Sequence, residues 1–95
     1  MLELEYYNVG IEKSRVSNHL VIKGEISNKT GKNYIAVALR VIVFVKSIPV
    51  ANVIILVNGL STGTTKVFEK ELEELEFESI GKDITRYEIY LESAY

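Results

Sequence analysis

The stretch that decides the fold is Tyr34–Val45, YIAVALRVIVFV. Ile35, Val37, Leu39, Val41, Val43 and Val45 fall on one parity, and all are bulky aliphatics. The other parity, Tyr34, Ala36, Ala38, Arg40, Ile42 and Phe44, is mixed and partly polar. Successive side chains of a strand point to opposite faces. A period of two held over this length therefore predicts a β-strand with one face wholly in a core. At about 3.3 Å per residue the strand would run about 40 Å, twice the usual length. A bend, a bulge or partial pairing is expected of it. The pattern speaks to fold class and says nothing of chemistry.

The same period recurs on either side. Residues 2–9 set Leu2, Leu4 and Tyr6 against Glu3, Glu5 and Tyr7, with Gly10 closing the strand and 12–18 forming a loop or a short extension. His19–Ser27 sets Leu20, Ile22, Gly24 and Ile26 against Val21, Lys23 and Glu25. Glycine weakens a strand, so Gly24 is expected where a large side chain or a backbone comes close. Asn28–Asn33 has turn chemistry. Val50–Val57 is apolar on both parities, and turn signals follow at Asn58-Gly59 and Ser61-Thr62-Gly63. Thr64–Leu72 reads as a strand, yet Phe68, Leu72 and Leu75 are spaced for a helix. A further strand and a short helical turn near 69–76 both fit. Ile84–Ser93 is the last strand, with Tyr87, Ile89 and Leu91 facing in.

Strands at roughly ten-residue spacing, with no long helix for parallel crossovers, predict one all-β domain over 1–95. The expected form is an immunoglobulin-like antiparallel β-sandwich of about seven strands. Its expected core is Leu4, Leu20, Ile22, Ile26, Val37, Leu39, Val41, Val43, Phe68, Tyr87, Ile89 and Leu91.

Composition narrows the function classes. The chain has 95 residues, no cysteine and a net charge of −2. Disulfides and thiolate metal sites are excluded, and so near-neutral a balance argues against nucleic-acid binding. Twelve of the 13 acids are Glu, Lys outnumbers Arg eight to three, and Gln and Trp are absent. Glu/Lys enrichment of this kind is a thermophile trait. The segment 41–57 approaches the length of a bilayer span, but Lys46-Ser47-Ile48-Pro49 is turn chemistry inside it. Two buried strands, with no membrane insertion, are expected there. Met1 leads straight into Leu-Glu-Leu-Glu with no basic or apolar leader pattern. That fits a cytoplasmic chain if Met1 is the native start.

Lys23-Gly24-Glu25-Ile26-Ser27-Asn28 resembles the GxVxN strand-to-turn signature of FxLYD-type domains. Val41–Val45 sits where that family has Phe-x-Leu-Tyr-Asp, with Val45 in place of the Asp. Leu60–Phe68 sits where it has a Pro-Gly turn leading to a Phe, with Thr62 in place of the Pro, and Ile84–Ile89 is similar to its closing strand. The resemblance covers most of residues 18–92. It implies an immunoglobulin-like sandwich of the kind found in exported or envelope-attached proteins, and no catalytic residues. A non-catalytic binding or scaffold module is the function it implies.

Individual residues agree with that direction. His19 is the single histidine, whereas a Zn²⁺ site wants several His or Cys ligands; neither a metal nor a cofactor is expected. A Ser-His-acid arrangement would have to use His19, and no nucleophile-elbow motif is present. The six glutamates within Glu69–Glu78 lack the Asp, Asn and Gly of a Ca²⁺ loop and read as a solvated face. Asn28-Lys29-Thr30 is a glycosylation sequon, but its Asn has turn work to do. Tyr7, Tyr34, Tyr90 and Tyr95 read as outward aromatics. The strand 50–57 carries the functional expectation. If Ile54 and Leu56 face outward they form, with Val50, an apolar patch for a partner protein or a symmetric homodimer. If both parities are buried, it is simply core.

Overall fold

The computed structural model describes residues 4–76, 78 and 81–95. Its strands are β1 (Leu4–Lys13), β2 (His19–Asn28), β3 (Tyr34–Val45), β4 (Ile48–Leu60), β5 (Thr65–Glu76) and β6 (Arg86–Ala94), with a 3-10 turn at Gly81–Asp83. All pairings are antiparallel. They form two three-stranded sheets, ordered β1-β2-β5 (sheet A) and β4-β3-β6 (sheet B). These are the A-B-E and C′-C-F arrangements of an immunoglobulin-like sandwich. The described residues thus supply six strands where about seven were expected.

β3 is the middle strand of sheet B, and its register shifts at Val43/Phe44 against β4 and at Ala38/Leu39 against β6. The extra residues, Val50 of β4 and Glu92 of β6, lie on the partner strands, where each adds local twist and bend beside β3. Val37, Leu39, Val41 and Val43 are fully buried. Burial of such side chains is worth roughly 2 kcal/mol each before entropy is subtracted. The aliphatic row frays at its ends. Ile35 is 81% exposed, with Tyr34 of the opposite parity packing against the core there beside Leu60, and Val45 is half-buried.

From sheet A come Leu20, Ile22, Ile26, Phe68, Leu72 and Leu75, and from β4 Ile55, Val57 and Leu60. Leu91, expected inside, is exposed near the end of the edge strand β6. Gly24 has the expected job: a Cβ there would lie 2.8 Å from Phe68 Cζ and 3.1 Å from Val9 Cα.

Three local signals resolve differently from their simplest reading. Gly10 does not end β1; the bulge lies at Tyr7/Gly10, with Asn8 at φ 53°, and carries Val9 and Ile11 against the core. Asn58-Gly59 does not turn the chain. β4 continues through it with Gly59 at φ 69°, and Leu60 beyond is fully buried. The stretch 69–76 stays in β5, with no helical turn. Its register against β2 jumps between Leu20↔Leu72 and His19↔Glu76. That irregularity brings both Leu72 and Leu75 into the core despite their three-residue spacing.

Candidate association surface

The hairpin β3–β4 positions the surface. It turns through Lys46-Ser47, with Lys46 at φ 57°, and pairs Val41↔Val53, Leu39↔Ile55 and Val37↔Val57 on the inner face. The alternate parity faces away from the core. Across sheet B its rows run Leu56–Ala38–Ser93, Ile54–Arg40–Tyr90, Asn52–Ile42–Glu88 and Pro49–Phe44–Arg86.

Ile54 is 45% exposed and Leu56 54% exposed, so these two expected residues do share the outer face. Val50 does not join them. It is the extra residue where the pairing passes from Val43↔Ala51 to Phe44↔Pro49, and it packs half-buried against the core. Ile48 and Tyr90 are exposed members of sheet B that the 50–57 pattern could not reveal. Tyr90 lies on the outer face, whose signal was the even parity of β3 with Ile42 and Phe44, whereas Ile48 stands opposite Val45, on the other parity at the hairpin end.

Charge on this face is tied off internally. Arg40 donates from Nε to Glu92 at 2.9 Å and from a terminal nitrogen to Asn52. The guanidinium holds the Glu92 carboxyl below the usual carboxylate range, and the hydrogen bond to Glu92 raises the Arg40 pKa in turn. Arg86 lies 2.5 Å from Glu88 and 3.8 Å over the Phe44 ring. Exposed pairs of this kind add little stability. What they do is spread a neutralised, flat polar strip beside the aliphatic edge.

The outer face of sheet A differs. A groove of about 650 Å³ lies there between the loop after β1 and the sheet, with Val21 and Lys23 among its lining and Glu12, Arg15, Glu69 and Glu71 around them. Glu12 is paired to Lys23 at 2.7 Å. At one end Ser17 donates its hydroxyl to Glu71 at 2.6 Å, and His19 Nδ1 lies 3.1 Å from the same oxygen. Those two contacts, the Ser17 one first, hold Glu71 below its usual range. In a catalytic triad the hydroxyl and the acid address opposite ring nitrogens. Here both address Nδ1, with Ser17 Oγ 3.4 Å away, and the hydroxyl proton points at the carboxylate. The arrangement clamps the 14–18 loop to β5.

The remaining candidates are dispersed. Asn28 is fully buried, and the nitrogen a glycan would need donates to Lys32 O at 2.7 Å and Leu60 O at 2.9 Å. Tyr34 packs against the core, while Tyr7 and Tyr90 stand on opposite sheets. Of the acidic run, Glu69 and Glu71 line the sheet A groove, and residues 77, 79 and 80 fall outside the described set. Among the described residues no cluster of three His, Asp or Glu side chains comes together, and no helix is long and apolar enough to cross a membrane. The apolar segment 41–57 is the β3–β4 hairpin.

Comparison with known proteins returns no match among family models, curated proteins or solved structures.

Proposed function

We propose that this domain is a non-catalytic protein-association module that works through the β4 side of sheet B. The observation that carries this reading is the exposure of Ile54 and Leu56 on a strand whose alternate residues, Ile55 and Val57, are buried. The strand is thus apolar on a face the core does not need. An exposed apolar patch rimmed by internally satisfied polar groups is the usual signature of a protein contact site. The neighbouring cations already have partners in Glu92 and Glu88, so the face offers shape and apolar area in place of net charge.

The test is site-specific cross-linking in the cells that make the protein. A photo-reactive side chain placed at 54 is expected to capture protein, whether another chain or a second copy. The same group placed at 69, on the outer face of sheet A, is expected to capture none. Equal capture at both positions, or none at either, would overturn the reading.

A further inference from the structure

The four sheet edges formed by the described strands are not equally closed. β1 is interrupted by the Asn8 bulge and carries Glu5, Glu12 and Lys13. β5 places Lys66 and Lys70 opposite Ile26 and Ile22, on the inward parity. A strand added there would have to bury two ammonium groups. β6 has its own register shift and bears Arg86, Glu88 and Glu92. Bulges and inward charges are the devices by which sheets refuse further strands. β4 has neither between Ala51 and Val57. Its register against β3 is regular there, and no charged residue occurs from 47 to 65.

Resting on the association reading above, we infer that β4 pairs antiparallel with β4 of a second copy, about a two-fold axis through Ile54. The two sheets B then become one continuous six-stranded sheet. The neutral run argues for a second copy as the partner. In a self-pair any charge would lie near its own like, whereas a charged partner strand would find no counter-charge on this edge.

The register follows from the ends of the regular run. Val50 is the bulged residue on one side. On the other, the Asn58 carbonyl is already held by Lys66 Nζ at 2.8 Å, and Gly59 takes a positive φ. Residues directly opposite in a sheet share a face, so the axis must fall on a residue and not between two. The midpoint of 51–57 is Ile54. Val53, half-buried at the margin of the core, then faces Ile55 of the second copy; Asn52 faces Leu56, and Ala51 faces Val57. No polar side chain is buried alone by this register, since Asn52 keeps Arg40 as its partner.

The chain has no cysteine, which makes the test clean. Opposed Cα atoms lie about 4.5–5.5 Å apart, inside the reach of a disulfide. Leu56 and its copy would stand four residues out of register, about 13 Å apart. Ile54→Cys is therefore expected to oxidise to a covalent dimer, while Leu56→Cys, at the more exposed position, forms no disulfide and runs as a single chain when denatured. Unmodified protein is expected to scatter light as a dimer and Ile54→Lys as a folded monomer. Equal oxidation at both positions, oxidation at neither, or a monomeric wild type at the highest concentration it tolerates would each overturn the self-pair. If position 54 still captures another protein by photo-cross-linking, the association reading survives that failure; if it captures nothing, both fall.

Discussion

The Asn28 carboxamide sits where two turns distant in sequence meet. Its nitrogen donates to Lys32 O and Leu60 O, and its oxygen accepts from the Thr30 amide and hydroxyl. The backbone continues the tie, with Asn28 N donating to Thr64 O and Gly63 N to Asn28 O. Alanine at this position strands the buried Leu60 carbonyl, at about 1–3 kcal/mol, and frees the part-buried Lys32 carbonyl and Thr30 amide at smaller cost. A loss of about 3 kcal/mol, or roughly 12–24 °C in a thermal melt at this chain length, is expected for Asn28→Ala. The Ser17–His19–Glu71 clamp makes a different prediction. Because the folded Glu71 carboxyl is depressed, the stability it contributes is full above the ordinary carboxylate range and is lost as pH falls through the folded value. In an NMR titration Glu71 should therefore protonate below that range, and Ser17→Ala should move it back up. A stability gap between Ser17→Ala and wild type at neutral pH should narrow on acidification; a constant gap would remove the clamp.

At the scale of the element, inward lysines decide which strands may grow. Lys66 and Lys70 give up little by sitting at an edge, because their long stems reach water or, for Lys66, the Asn58 carbonyl. Replacing both with valine removes the obstacle and raises the β-propensity of β5. Lys66→Val/Lys70→Val is expected to melt no lower than wild type yet to form species larger than the parent assembly on size exclusion. A double variant that keeps the parent's size would show that the edge is closed by something else. β3 and β2 were legible in sequence because their alternation is unbroken and one face of each is buried along most of its length. β5 was not. Its three-residue leucine spacing mimics a helix, and only its pairing with β2 across a register jump accommodates that spacing in a strand.

For the whole molecule, self-pairing through β4 couples folding to concentration. A dimer that binds the folded state alone raises the melting midpoint as concentration rises, by mass action. Between about 5 and about 500 µM the wild-type midpoint is expected to climb by several degrees, and that of Ile54→Lys to stay flat. Parallel behaviour of the two would separate stability from assembly. The pattern of apolar residues could say that β4 had two hydrophobic faces. It could not say which would be left uncovered, since that depends on β4 lying at the margin of its sheet with β3 on one side only.

The sequence by itself determined the all-β class and the inner parity of the central strands, because alternation is set by the geometry of each extended chain alone. The tertiary structure decided where that parity fails, at Ile35, Val50 and Leu91, and which surface is left for a partner. Those outcomes turn on bulges and register, which arise only when strands far apart in sequence are laid against one another.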